Sequence, residues 1–362
     1  MSTVRVGIIG CGRISGHHCR SIVKTAGAEL VAVCDLDIAK AHVYRDEFGV
    51  PAYDNYHRML REHPGINTVA IVTPSGMHFE HALEVMQRYG KHVIVEKPTF
   101  MKPSQVQQAY AVAKQASVRI FPVFQNRHNL AVQRVLRGLR DGELGALRSA
   151  AVRVRWCRPQ RYYDLAPWRG TYAMDGGCLT NQGVHHIDLL RKLGGEVLRV
   201  CSTHRTLGAH IEVEDTATAL FEFGSGAIGS LEITTAARPV DYEASLSLVC
   251  ENGLAQIGGI AVNELQVYTP DPVACATSSE DFSGNVYGNG HQQMYSDIVA
   301  ALAHGVPFSA EFEDVLASMK LLNAFYRSDE CAGWVQVNEG QESTRLGRSD
   351  EALAGLYRSA DD

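Results

Sequence analysis

At 362 residues the chain is long enough for two domains with full cores, and its formal charge of −6 excludes a general nucleic-acid surface, since no basic excess exists to neutralise phosphates. Hydrophobic residues at 45% and charged residues at 20% are ordinary for a soluble enzyme, and no apolar run reaches the roughly 18 residues of a membrane span. The first residues enter a strand at once, predicting no signal peptide, and nine scattered cysteines without a Cys-x-x-Cys pair read as reduced thiols of a cytoplasmic protein.

Through residue 122 apolar strands alternate with helical patterns. Strands are predicted over 4–9, 29–34, 68–72, 92–95 and 118–123, and helices over 14–25, 38–48, 78–88 and 103–114. Near-continuous apolar strands separated by helices indicate a doubly wound parallel sheet, covered on both faces. Strand one runs into Gly10-Cys11-Gly12, and Arg13-Ile14 open a helix. The first glycine permits the tight turn, the second lets a pyrophosphate approach the backbone, and helix N-terminal N–H groups receive the charge. Ser15 stands where a third small residue is usual. Asp35 ends strand two at the distance expected of a ribose-binding acid, where a carboxylate repels a 2′-phosphate; this favours NAD over NADP. Asp37 suits the N-cap of the next helix.

Thr73-Pro74-Ser75 follows strand three; it reads as a wall of the cofactor cleft, as a turn with a helix cap, or as both. His78 and His81 lie one helical turn apart without a third ligand, and His17 and His18 read as first-helix residues near the phosphates, so no metal site is expected. Glu96-Lys97-Pro98 ends another apolar strand at the cofactor edge of the sheet. Pro98 restricts Lys97 to extended backbone. A lysine there is either an ordinary surface residue or the group that steadies a developing alkoxide, with its pKa lowered beside the nicotinamide.

After residue 123 the pattern changes. Gln125-Asn126-Arg127 leads into a helix over 130–140, and alternating strands are predicted over 148–158, 197–205, 216–223, 227–235, 243–250 and 264–268. Helices are expected over 179–192, 291–303 and 314–327. This is an α+β domain with a large, mostly antiparallel sheet, one face under helices and the other free to pack on a partner. The linear division is a dinucleotide-binding domain over 1–122, a substrate-binding and oligomerisation domain over 123–338, and a loose polar tail over 339–362 with a short helix near 353–357. On a continuous helix Asn181, His185 and Asp188 share one face at i, i+4 and i+7. His185 suits the uptake of a hydroxyl proton near neutral pH, or else is bonded within the core; His186 points elsewhere and is structural.

These residues resemble the Gfo/Idh/MocA family of NAD(P)-dependent sugar oxidoreductases, over roughly residues 4–338. The resemblance implies that Lys97 and His185 are catalytic. Asn181 stands where family members usually carry an Asp; a neutral amide orients a hydroxyl but is no base. It further implies an NAD site built from Gly10, Gly12, Arg13, Ile14, Asp35, Thr73, Pro74, Ser75, His78, Glu96, Lys97 and Gln125. Blocks at 125–129, 158–163, 168–171, 175–177, 181–182, 211–216 and 258–264, with Val286-Tyr287-Gly288, are similar to the UDP-N-acetyl-2-amino-2-deoxyglucuronate dehydrogenases of O-antigen biosynthesis. In that subgroup Asn replaces the Asp. The implied substrate is a UDP-sugar oxidised at C3, and the implied assembly a homotetramer, with no nucleic-acid or membrane partner. Arg127, Arg158, Arg161 and Arg169 offer forked donors for diphosphate and carboxylate, about two of them expected to touch substrate. Tyr162, Tyr163 and Trp168 suit a sugar face or the uracil, alongside Asn181 and His185. Other readings are a different sugar or inositol dehydrogenase, a non-catalytic dinucleotide-binding regulator, and an NAD-dependent glycosidase.

Overall fold

Strands buried on both faces need helices on both, and the first half of the chain supplies them in alternation. The computed structural model describes residues 3–282 and 287–360; Val286 lies outside the described residues. β1 (Val4–Ile9), α1 (Ser15–Lys24), β2 (Ala28–Cys34), α2 (Ile38–Phe48), β3 (Ala52–Tyr53), α3 (Tyr56–Glu62), β4 (Thr68–Ile71), α4 (His78–Tyr89), β5 (His92–Val95), α5 (Pro103–Gln115) and β6 (Ile120–Pro122) follow one another. The six strands form one parallel sheet in the order β3-β2-β1-β4-β5-β6. Register pairs Ile9 with Cys34 and Ile71, and Ile71 with Val95. Gly10, Asp35, Val72 and Glu96 therefore leave the sheet along one carboxyl edge, around the β1/β4 switch point where ligands of such sheets bind. The Asp37 side chain accepts the Ala39 N–H and caps α2. β3 and α3 were not expected; a two-residue strand and a seven-residue helix are too short to show a period.

The second half is built on a different period. α6 (Leu130–Arg140), β7 (Leu147–Arg155), α7 (Gln160–Tyr163), α8 (Val184–Gly194), β8 (Val197–Arg205), β9 (Thr216–Phe223), β10 (Ile228–Thr234), β11 (Glu243–Cys250), β12 (Leu254–Gly258), β13 (Glu264–Tyr268) and α9 (Ala274–Thr277) precede α10 (Gly290–His304), α11 (Phe312–Cys331), β14 (Val335–Gln336) and α12 (Glu351–Gly355). Eight strands form a sheet ordered β13-β12-β11-β7-β10-β9-β8-β14. The β7/β10 pairing is parallel and the others antiparallel. Strict alternation in β9 buries Ala217, Ala219, Phe221 and Phe223 while Thr218 and Leu220 stay exposed. α8 packs on the buried face against β7 and β11.

The helix expected over 179–192 is two pieces: a π turn at Cys178–Gln182, then α8. The wider turn breaks the i, i+4, i+7 spacing, so Asn181 and Asp188 hold different partners, as described below.

By contacts the chain forms two units: Met1–Val123 with His291–Leu316 and Ser349–Asp362, and Phe124–Gly290 with Ala317–Arg348. The chain thus returns to its first unit twice, whereas the linear division assigns 291–316 to the second half. Residues 339–360 are not a loose tail. In the second unit Leu346 is fully buried, and Glu330 accepts from Ser343 Oγ at 2.6 Å and from the N–H groups of Thr344 and Arg345 at 3.2 Å. In the first, Asp350 caps α12, Arg358 pairs with Glu80 at 2.6 Å and Asn55 donates to the Ala360 carbonyl at 2.8 Å. The polar composition reflects these charged anchors. No helix among the described residues is long and apolar enough to cross a membrane, and all nine cysteines are free thiols.

Deleting residues 341–362 should lower the melting temperature measurably, because burial of one leucine side chain alone is worth about 1.5–3 kcal/mol. An unchanged melting curve for the truncated chain would contradict this account of the terminus.

Candidate active site

In the first unit, the turn after β1 is fixed by backbone need. Gly10 has φ +97°, and a Cβ there would sit 2.5 Å from the Val72 carbonyl oxygen, so only glycine fits. At Gly12 a Cβ meets no atom within 4 Å: the space beside its backbone is open, as a pyrophosphate requires. Ser15 Oγ donates to the Gly10 carbonyl at 2.7 Å, and Asp35 Oδ2 accepts the Cys11 N–H at 2.7 Å. Arg13 is exposed and Ile14 half-buried at the start of α1. Asp35 is itself half-buried at the end of β2, where a ribose-binding acid belongs. The residues thus fit NAD.

His78 is buried and joins two parts of the edge: Nδ1 bonds the Pro98 carbonyl at 2.8 Å and Nε2 the Thr73 carbonyl at 2.9 Å. It positions the Thr73-Pro74-Ser75 turn relative to Lys97-Pro98, while Thr73 Oγ1 bonds His81 Nδ1 at 3.0 Å. Lys97, half-buried, is held through its neighbour. Glu96 is buried; its Oε2 accepts the Lys97 N–H at 2.9 Å and its Oε1 bonds His18 Nε2 at 2.9 Å. His18 Nδ1 meets the Tyr295 hydroxyl at 2.8 Å, and His291 Nε2 lies 3.7 Å from the same Glu96 oxygen. Burial would raise the Glu96 carboxyl, but hydrogen bonds from His18 and His291 hold it well below the usual carboxylate range. The ligand atoms of His18, Glu96 and His291 lie within 4.8 Å of one another, a spacing a metal ion could also use. Sequence reading put His18 near the phosphates and missed this cluster.

In the second unit, Gln125 and Arg127 are buried in a short 3₁₀ turn at Gln125–His128. Arg127 grips Asp188 with two bonds, Nε to Oδ2 at 2.8 Å and Nη2 to Oδ1 at 2.6 Å, and Ser318 Oγ donates to Asp188 Oδ1 at 2.8 Å. Arg127 is therefore engaged as a buried structural cation. Tyr163 is likewise a core residue, its hydroxyl 3.0 Å from Thr235 Oγ1. Around Tyr162 the aromatic and basic residues do converge. The Arg169 guanidinium lies 4.3 Å from the Tyr162 ring centre and 4.6 Å from that of Trp168; Arg158 lies 5.6 Å from Tyr162 and pairs with Asp241 at 2.7 Å. Arg161 is exposed.

His185 is buried near the start of α8, with Phe124 edge-on at 6.4 Å. His186 packs on Trp156, and burial pushes its pKa down to about 4, as befits a core histidine. The π turn before them rests on Glu214, whose Oε1 accepts the Leu179 N–H at 3.1 Å and the Tyr326 hydroxyl at 2.7 Å. A Cβ on Gly177 would lie 2.3 Å from that carboxyl. Burial pushes the Glu214 pKa up to about 8, against the bonds from Tyr326 and Leu179 that lower it. Glu214 and Tyr326 escaped the sequence reading, which gave no sign that the turn sits on a buried acid.

Residues 4–124 match the family model described as "Oxidoreductase family, NAD-binding Rossmann fold" and residues 132–256 the "GFO/IDH/MocA C-terminal domain". The fold superposes on the WlbA dehydrogenase of Bordetella pertussis, crystallised with NADH and UDP-GlcNAcA, at a TM-score of 0.86 and 33% identity, over 92% of this chain and 97% of that one. The WlbA dehydrogenase of Chromobacterium violaceum, with the same ligands, gives 0.86 and 32% over 94% and 98%. The scyllo-inositol 2-dehydrogenase (NAD(+)) of Bacillus subtilis is 26% identical over 70% of this chain and 74% of its own length.

Asp35→Ser should narrow the preference for NADH over NADPH, read as the ratio of dissociation constants; tighter NADPH binding by the unaltered protein would contradict the role given to Asp35. For Glu214 the sign follows from linkage. Its folded pKa of about 8 exceeds the ordinary 4.5, so the folded state holds the extra proton between those values, and stability falls as pH rises through that window. Glu214→Gln should remove a slope of up to about 1.4 kcal/mol per pH unit, measured by urea unfolding between pH 5 and 8. Parallel pH profiles for the two proteins would refute the raised pKa.

Proposed function

This chain belongs to the Gfo/Idh/MocA family of NAD-dependent oxidoreductases, and we propose that it oxidises the C3 hydroxyl of UDP-N-acetylglucosaminuronate to the 3-keto sugar, in bacterial surface-polysaccharide (O-antigen) biosynthesis in the cytoplasm. Oxidation of a sugar or polyol CH–OH group is the activity of the family. The observation that carries the finer reading is the near-full-length likeness to two dehydrogenases crystallised with NADH and UDP-GlcNAcA. The inositol dehydrogenase relative supports a cyclitol substrate as the second reading, at lower identity.

Bound NAD supplies the acceptor for the hydride that leaves C3. His185 takes the hydroxyl proton at an imidazole nitrogen, so the alcohol becomes a ketone with atoms and charge in balance. The Lys97 ammonium steadies the incipient alkoxide and keeps the hydroxyl in line; its backbone is fixed by Glu96 at 2.9 Å. Asn181 orients the hydroxyl without acting as a base. Arg158 and Arg169 are the cations for diphosphate and carboxylate, with Tyr162 and Trp168 beside them. Arg127 and Tyr163 leave the set, because both are buried with their polar groups engaged, whereas the pairing of half-buried Arg158 with Asp241 is made through Nη1.

Lys97→Ala and His185→Asn should each lower turnover by about 10²–10⁴ while NAD still binds. UDP-N-acetylglucosamine, lacking the carboxylate, should be a much poorer substrate, with the 3-keto product identified by mass spectrometry. Equal efficiency on the uncharged sugar would remove the uronate reading, and unchanged turnover in both variants would remove the mechanism.

The expected assembly is a homotetramer, because the exposed face of the eight-stranded sheet carries Leu220 and Val249 beside the charged ladder of Arg153, Arg155, Glu232 and Glu243. Light scattering at micromolar concentration should give four times the chain mass; a monomer would refute it.

A further inference from the structure

Asp175 is 2% exposed, in the loop between α7 and the π turn. Its backbone N–H bonds the Thr171 carbonyl at 2.9 Å, and its Oδ2 accepts the Gly170 N–H at 2.8 Å. Its other carboxylate oxygen accepts the side-chain N–H of Asn181. Asn181 Oδ1 in turn accepts from Gln182 Nε2 at 2.9 Å, and that nitrogen also reaches the Tyr162 hydroxyl at 3.1 Å. Tyr162 lies under Arg169. One buried acid thus heads a chain of hydrogen bonds that runs through Asn181 to the residues proposed to meet the sugar nucleotide.

The direction of that chain is set at its head. An ionised carboxylate only accepts, whereas a side-chain amide donates from one end and accepts at the other. Asp175 therefore turns the NH₂ end of Asn181 toward itself and the carbonyl end toward Gln182. An acid at 181 would put two carboxylates in direct contact in a buried site, where they could not both ionise and would hold a proton between them.

We infer that Asp175 is a positioning residue for the substrate: it fixes the orientation of the Asn181 amide and, through Gln182, of Tyr162, and it makes an amide rather than an acid obligatory at 181. Positions 175 and 181 then form one unit of an acid and an amide, exchangeable only together. The kinetic part rests on the proposed dehydrogenase reading; the coupling of the two side chains does not.

The test is a double-mutant cycle with Asp175→Asn, Asn181→Asp and the exchanged pair D175N/N181D, run in two arms. In the first, the melting temperature is measured without substrate. Each single change should lower it, and the exchanged pair should recover most of the loss; additive losses overturn the coupling. This arm decides even if the unaltered protein turns over no UDP-sugar, an outcome that would refute the proposed function instead. In the second, each single change should lower kcat at least tenfold with the KM for NAD unchanged, and the exchanged pair should return to within a few-fold of the unaltered protein. Recovered stability with kcat unaffected by the single changes overturns the positioning role. Should Asp175→Asn not fold, Asn181→Asp suffices: its turnover should fall as pH rises, as the shared proton is lost, whereas the unaltered protein lacks this limb. Glu214, Tyr162 and Tyr163 are ionisable groups that feel the Asp175 charge, Arg169 lies over Tyr162, and all are present in both proteins. Identical pH profiles overturn the proposal.

Discussion

A single buried carboxylate organises the carboxyl edge of the first unit's sheet. Glu96 cannot be left charged in a dry interior without partners, and its two oxygens divide the task between His18 and the backbone of Lys97. Removing one partner of such a buried pair typically costs about 3–5 kcal/mol, so the arrangement is stiff. That stiffness passes to Lys97, whose chain direction follows from the end of β5.

The second unit solves a similar problem with the opposite charge state. Glu214 has hydrogen-bond donors at one oxygen, and burial keeps its proton on to about pH 8. A neutral acid serves there because its task is to hold the Leu179 N–H of the π turn and the Tyr326 hydroxyl, not to balance a charge. Arg127 and Asp188 show the contrast: where a guanidinium is buried, a fully ionised carboxylate faces it in fork geometry.

The parallel sheet was legible because its strands are apolar along their length and its helices carry local start signals, such as Asp37 before α2 and Pro103 opening α5. The position of Lys97 at the sheet edge was legible for the same local reason, being the end of a strand followed by proline. What supports it was not: His18 and Tyr295 lie 277 residues apart and meet only in the fold. β12 was missed because it is only five residues long and ends at Gly258. The helix at 179–192 was read as continuous because a π turn differs from an α-helix by one residue per turn, below what side-chain pattern resolves. Arg127 was read as a ligand for an anion because sequence cannot tell an arginine facing solvent from one facing Asp188.

The return of α10 to the first unit has a bearing on how the protein comes into being. The dinucleotide-binding strands leave the ribosome within the first third of synthesis, but the histidine and tyrosine that complete the Glu96 cluster are residues 291 and 295. Until the intervening second unit has been made, His18 Nδ1 lacks the Tyr295 hydroxyl and Glu96 Oε1 lacks the neighbouring His291. The nascent Rossmann sheet is thus a workable scaffold with an unfinished carboxyl edge. Closure of that edge joins residues 277 positions apart, with the loop-closure entropy and slow timing that such contacts carry.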